Sequence, residues 1–396
     1  MKHRLLLVAG ARPNFMKIAP LCWELRNFDQ TFEVLLAHTG QHYDFDMSDS
    51  FFQDLDLPEP DFYLGVGSGS HAQQTAHIME AFERVLLQTR PDCVLVVGDV
   101  NSTLACALVS AKISYGAGEQ KRPLIVHVES GLRSFDKAMP EEINRKLTDS
   151  ISDILFVSEP SGVENLRNEG FQNFMSADFS DDGSGSSKAL TPFPIPMVAL
   201  VGNVMIDSLY KMLPLVKKRD PFSKLGFSRQ PDTPLILVTL HRPSNVDDTH
   251  NLEIILSSLA ELSGDCQVVF PVHPRTRQKL EALSAVDVSG LHLSQPLGYL
   301  DFICMQSRSD LVITDSGGIQ EETTALNVPC LTVRENTERP ITITKGTNRL
   351  VEIDRNIIIK VARDILRSDK RKGSCPEIWD GKASKRIVKI LAEALQ

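Results

Sequence analysis

No apolar run in the chain approaches the ~18 residues of a membrane-spanning helix. The opening MKHRLLLVAG sets basic residues before a short apolar run that stops at Gly10, with Arg12 and Pro13 following. That is short for the core of a secretion signal, which needs roughly 7–15 apolar residues and a cleavage site. The segment reads instead as a first buried strand, and the expected location is cytoplasmic. Positive charge is not in excess: 42 Lys and Arg stand against 51 Asp and Glu, a net charge of -9. This argues against a nucleic-acid partner, which favours a basic surface. It leaves room for an anionic ligand, because local Arg side chains and backbone N–H groups can oppose the global sign. The seven cysteines, an odd and widely spaced set, contain no CxxC pair. A disulfide framework or zinc ribbon is therefore not expected, and buried reduced thiols are. No HxxxH or clustered Asp/His spacing points to a metal.

What the chain does have is a rhythm. Short, nearly continuous apolar runs recur at Leu5–Ala9, Cys93–Val97, Leu124–Val128, Ile154–Val157, Leu235–Leu240, Val268–Val272, Leu311–Thr314 and Cys330–Val333, separated by longer amphipathic stretches. Runs without polar alternation suit strands covered on both faces, and their alternation with helices predicts parallel sheets in an α/β fold. At ~100–200 residues per domain, 396 residues suggest two or three domains. The Ser-, Asp- and Gly-rich stretch at 176–192 interrupts the rhythm and cannot bury enough apolar surface to fold by itself. A second polar insertion lies at Tyr115–Arg122. The expected division is a first domain over 1–197, a second over 198–380, and a C-terminal helix over 381–396 that returns to the first.

Polar residues gather just after the strands, where open α/β sheets bind ligands. In TDSGGIQEE a strand ends, Gly317 and Gly318 allow a tight turn, and a helix begins. Its free N–H groups suit a diphosphate, and the same residues equally suit a plain turn with Asp315 or Ser316 as N-cap. In GARPNFMK, Arg12 and Lys17 sit at the start of a helix, where Arg12 can clamp a phosphate or pair with a carboxylate. Asp99 in VVGDVNST is either a site carboxylate or the cap of the next helix. Glu129 follows the run LIVHV and is less easily read as a cap. Glu141 and Glu142 after Pro140 are good first-turn chemistry, and Glu141 can bridge to Arg145 one turn on. His241 ends a strand and is open to either a site role or a structural one, as is His273. His127, inside an apolar run, reads as a satisfied core residue.

In order, GARPNFMKIAP, HTGQHYDFDMSDSFF, VVGDVNSTLA, HVESGLRSFDKAMPEEINR, VGNVMIDSL, VTLHRPSN, TDSGGIQEE and RENTERP resemble the non-hydrolysing UDP-N-acetylglucosamine 2-epimerase family across residues 9–340. The resemblance implies a GT-B-like architecture, two Rossmann-like domains with parallel sheets facing across a cleft, and a homodimer. It places Phe302, Ser316, Gly317, Gly318, Glu322 and Arg339 at the uridine diphosphate. Arg12, Lys17 and Arg145 join the substrate-binding set. Asp99, Glu129, Glu141 and His241 fall at the positions proposed to work on the sugar. No cofactor and no metal are implied. The partner is a UDP-sugar, with neither nucleic acid nor membrane.

Three features depart from the family pattern. Asp44 and His77 stand where many members place the Gln and Arg that bind an activating second UDP-sugar. VTLHRPSNVDD differs from the usual HRRE continuation and points to a subgroup acting on another UDP-sugar, such as a 2,3-diacetamido uronic acid. The 176–192 insertion has no counterpart in the pattern. A hydrolysing epimerase, a GT-B glycosyltransferase and a non-catalytic sugar-nucleotide binder are the competing readings.

Overall fold

The computed structural model describes residues 2–40, 55–116, 122–175, 195–272, 274–282, 286–368 and 373–395. The 176–192 insertion, most of the Tyr115–Arg122 insertion, Gln41, His42, Asp44 and His273 lie outside the described residues, as does the side chain of Arg12.

Two all-parallel sheets account for the continuous apolar runs. The first contains β1 (His3–Ala9), β2 (Phe32–His38), β3 (Phe62–Tyr63), β4 (Cys93–Val97), β5 (Leu124–Ser130), β6 (Ile154–Val157), β7 (Asn173–Met175) and β8 (Met197–Leu200), in the order β3-β2-β1-β4-β5-β6-β8-β7. Its helices include α1 (Arg12–Leu25), α2 (His71–Thr89), α3 (Asn101–Lys112), α4 (Pro140–Ile151) and α5 (Pro160–Asn168). Every residue of β4 and β6 is buried, because helices cover both sheet faces. The helix α6 (Val204–Val216) then leads to the second unit.

The second sheet contains β9 (Leu235–Thr239), β10 (Gln267–Pro271), β11 (Leu291–Ser294), β12 (Leu311–Thr314), β13 (Cys330–Val333) and β14 (Asn348–Val351), in the order β11-β10-β9-β12-β13-β14. Among its helices are α7 (Thr249–Leu262), α8 (Tyr299–Ser307), α9 (Gly317–Ala325) and α10 (Arg355–Arg367). The core on one face joins α7 and α10 to the strands through Leu252, Ile255, Leu259, Ile358 and Ala362.

The units divide at Tyr210/Lys211 and again at Glu377/Ile378, so that the first comprises the chain up to Tyr210 and from Ile378 on. The first break lies past residue 197, where the sequence suggested it. β8 pairs with β6 and so belongs to the first sheet. The returning segment is held there by named bonds: Trp379 Nε1 donates to the Ser158 carbonyl at 2.9 Å, and Asp207 of α6 accepts the N–H groups of Ala383 and Ser384 at 3.1 and 2.7 Å. The last helix, α11 (Ala383–Ala394), packs on α1. All seven cysteines are free thiols and six are buried. Among the described residues, no helix is long and apolar enough to cross a membrane.

Candidate active site

In the first unit the site is built where β1, β4 and β5 end. Gly10 and Ala11 follow β1, and their N–H groups both donate to Asn14 Oδ1 at 3.0 Å. Asn14 in turn donates to the Val97 carbonyl at 3.1 Å, tying the start of α1 to the end of β4. Arg12 is the first residue of α1. One turn on, Lys17 is buried, and its Nζ lies 2.7 Å from Glu129 Oε2, itself buried. Lys17 therefore closes on a carboxylate of its own unit.

Glu129 occupies an unusual backbone position. Its φ is +72°, and the β5–β6 register shifts between Val128 and Ser130. A non-glycine residue at positive φ costs energy that the surrounding structure must supply, and such bulges recur beside active sites. At this bulge the Glu129 side chain meets Lys17.

Asp99 comes two residues after β4 and does not occupy the cap of α3; that position is Val100, with no side-chain cap. Its Oδ2 accepts from Arg145 Nε at 3.0 Å, and its side chain is 20 % exposed. The Arg145 bridge expected from Glu141 is made by Glu142, one step further along α4. Glu142 is buried and also accepts the Ser134 and Phe135 N–H groups at 2.9 and 3.2 Å. Glu141 is exposed on the first turn of α4. The helical period decides this: Glu142 and Arg145, three apart, share the inward face, and Glu141 falls outside it.

His127 is the satisfied core residue its apolar setting suggested, and it also ties the two acidic loops together. Its Nε2 lies 2.8 Å from the Gly98 carbonyl and its Nδ1 lies 2.6 Å from Asp149 Oδ1. The ring thus bridges the Gly98 peptide and the Asp149 carboxylate. Asp149 Oδ2 accepts the Gly131 N–H at 3.0 Å and pairs with Arg133 at 2.7 Å. One buried carboxylate thus braces the peptide before Asp99 and the turn after Glu129. Burial pushes Asp149 up, but His127 and Arg133 more than offset it and hold the carboxyl below its usual range. Asp149 escaped the sequence reading, although Glu142, Arg145 and Asp149, recurring at three and four residues on α4, form one charged face that a wheel reveals.

In the second unit the corresponding edge joins β9 and β12. His241 follows β9, and its Nδ1 lies 2.8 Å from Asp315 Oδ1, just past β12. Asp315 caps nothing on α9. The N-cap there is Ser316, and no side chain caps the helix. The first-turn N–H groups of α9 lie next to Gly317, where an added Cβ would sit 2.5 Å from Arg339 Nη1 and 2.7 Å from Glu338 Oε1. Arg339 Nε pairs with Glu321 at 2.8 Å, and Arg334 Nη2 with Glu338 Oε2 at 2.8 Å. A helix start next to a buried guanidinium is a setting suited to an anion. Glu322 is buried and accepts the Tyr299 hydroxyl at 3.2 Å. Phe302, also on α8, is half-buried against the Leu237, Val269 and Met305 cluster. Tyr299, Glu321 and Glu338 were not singled out by the sequence. Among the described residues no group of three or more His, Cys, Asp or Glu side chains is placed to hold a metal ion.

A family model described as UDP-N-acetylglucosamine 2-epimerase matches residues 25–392. The chain belongs to that family. A UDP-N-acetylglucosamine 2-epimerase homolog of Methanococcus maripaludis is 39 % identical, the match covering 98 % of this chain and 99 % of the relative. The UDP-2,3-diacetamido-2,3-dideoxy-D-glucuronate 2-epimerase of Pseudomonas aeruginosa is 38 % identical, covering 98 % and 99 %. The crystal structure of the Methanocaldococcus jannaschii UDP-GlcNAc 2-epimerase, solved in complex with UDP-GlcNAc and UDP, is similar at a TM-score of 0.81 and 34 % identity over 98 % of this chain and 99 % of that one. Within the 2-epimerase family the two parallel α/β units are the GT-B-like pair of domains. Asp99, Glu129 and Glu141 all belong to the first unit, and His241, Phe302, Ser316–Gly318, Glu322 and Arg339 to the second.

Proposed function

We propose that this chain interconverts UDP-N-acetylglucosamine and UDP-N-acetylmannosamine. The observation that carries the reading is the pair of carboxylates Asp99 and Glu129 on adjacent strand ends, each held by a cation from a helix, Arg145 or Lys17. No carbonyl flanks C2 in the sugar ring, so its proton is not acidic in the ground state. The C1–oxygen bond breaks first and UDP departs with the electron pair. The oxocarbenium-like C1 then acidifies C2–H, a carboxylate removes the proton, and a glycal forms. UDP adds back to C1 while a proton reaches the other face of C2. The route has no net oxidation and draws on no cofactor. Asp99, Glu129 and Glu141 serve the proton steps. Ser316–Gly318, Arg339, Arg12 and His241 stabilise the departing diphosphate, while Phe302 and Glu322 hold uracil and ribose.

Proton and phosphorus NMR in deuterated water with UDP-N-acetylglucosamine tests this. Deuterium at C2 of both UDP-sugars is expected. Free UDP with N-acetylmannosamine makes the protein a hydrolysing epimerase instead, and transfer of the sugar to an added acceptor makes it a glycosyltransferase. The Pseudomonas relative supports a second reading, with UDP-2,3-diacetamido-2,3-dideoxy-D-glucuronate as substrate. Exchange with that sugar alone would select it. The reading also carries a cytoplasmic homodimer feeding a surface polysaccharide, and sedimentation at micromolar concentration checks the dimer.

Gly317→Ala bears on the diphosphate site. The new Cβ meets Arg339 and Glu338 at distances no real contact adopts. Relieving that contact displaces the Arg339 guanidinium from the start of α9, and losing one charge-assisted bond worth about 1.4 kcal/mol should lower UDP affinity about tenfold. Calorimetric titration giving wild-type affinity would remove α9 from the diphosphate site.

A further inference from the structure

We infer that Asp315 is the positioning residue for His241: its buried carboxylate accepts a hydrogen bond from Nδ1–H and leaves Nε2 as the nitrogen that meets substrate. The inference rests on the epimerase reading only in giving His241 contact with the substrate; the geometry is independent of it.

Asp315 lies 74 residues from His241 in sequence, and β12 beside β9 brings them together through the Thr314–Thr239 pairing. Its carboxylate is fully buried and turned away from its own helix. Four groups of the opposite loop converge on it: the His241 N–H at 3.1 Å, the Arg242 N–H at 3.0 Å, Asn245 Nδ2 at 3.1 Å and His241 Nδ1 at 2.8 Å. Burying a carboxylate is costly unless it is fully bonded. Here burial pushes Asp315 up, and the His241 and backbone bonds bring it below its usual range. It therefore faces the ring as an acceptor, and an acceptor at Nδ1 requires Nδ1–H. The His241 side chain is 60 % exposed while its anchor is 0 % exposed, so the ring is gripped at one edge and open at the other. Nε2 presents N–H when the ring is charged and a lone pair when it is neutral, and in both states Asp315 sets the direction. Three of the four bonds to Asp315 fix the loop, and one fixes the ring, so loop and ring are placed by the same carboxylate.

Asp315→Asn separates these roles. The Asn oxygen can retain Arg242 and Asn245, while its NH2 turns toward Nδ1 and demands an acceptor there. The neutral ring then carries its proton on Nε2, the wrong tautomer for any group at that edge. The experiment is histidine 15N NMR of the full chain, with the His241 signal assigned by its loss in His241→Asn, combined with steady-state epimerisation kinetics. Wild type is expected to show Nδ1–H, and Asp315→Asn to show Nε2–H when neutral. The variant's kcat should fall by about 100-fold with KM little changed, within the usual size of a general acid–base contribution. The double variant Asp315→Asn/His241→Asn should be no slower than His241→Asn alone. A wild-type neutral ring lacking the Nδ1 proton overturns the assignment without any variant having to fold. Losses that multiply in the double variant overturn it as well. His241→Asn turning over at the wild-type rate overturns the contact of His241 with substrate, and with it the epimerase role given to that residue, while the tautomer result stands on its own.

Discussion

Asp99→Asn should slow C2 proton exchange by about 10²–10⁴-fold, the range over which a positioned acid or base acts, with UDP binding preserved. Asp99 is suited to this test because its backbone bonds do not pass through its charge, and Arg145 keeps Glu142 as an ionic partner. The Asp99 backbone carbonyl takes Asn144 Nδ2 at 2.9 Å, and the Gly98 N–H before it bonds the Val128 carbonyl at 3.0 Å. Asparagine keeps the shape and an acceptor for Arg145. The groups proposed to hold UDP, apart from Arg12, belong to the other unit. Glu129→Gln should lose activity similarly but with a second cost. It leaves the Lys17 ammonium, 6 % exposed, facing a neutral amide. Breaking a buried pair from one side costs about 3–5 kcal/mol, so the melting temperature should fall along with the rate. Deuterium incorporation at C2, UDP titration and calorimetric melting read the three quantities. Asp99→Asn exchanging C2–H at the wild-type rate would remove that carboxylate from the chemistry.

Asp149→Asn should be the most destabilising single charge removal in the first unit. The carboxylate is fully buried and partners His127, Arg133 and the Gly131 N–H. Removing it leaves a buried imidazole and a guanidinium that Glu169 alone must balance. An expected loss of about 3–5 kcal/mol corresponds to a drop of roughly 10 °C for a unit of this size. The pH dependence has a definite sign. A carboxyl held below its ordinary value stabilises the fold fully above that value, about 3.9, and the contribution disappears as pH falls through the lowered value of the folded state. The gap in melting temperature between wild type and Asp149→Asn should therefore stay constant from neutral to weakly acidic pH and narrow only below about pH 4. A gap that narrowed near pH 6 would mean that a different group carries the network. Because Asp149 braces the loops of both Asp99 and Glu129, residual activity should fall with stability.

The legible part of this protein was what neighbouring residues decide. Continuous apolar runs such as CVLVV and LVIT suited doubly covered strands, and the Gly- and acid-bearing turns after them suited the ends of parallel strands, where such sheets bind ligands. His127 was legible as a core residue from its apolar flanks. The tertiary structure decided the partners. Asp149 meets His127 across 22 residues and Asp315 meets His241 across 74, separations over which local pattern has no reach. It turned Lys17 onto Glu129, gave Arg145 to Glu142 in place of Glu141, and freed Asp315 from its own helix. The physical reason is common to all four. A charged side chain leaves water only where compensating charge and hydrogen-bond donors converge. Sequence determines which residues carry the charges, and only the packing of strands and helices determines where those partners meet.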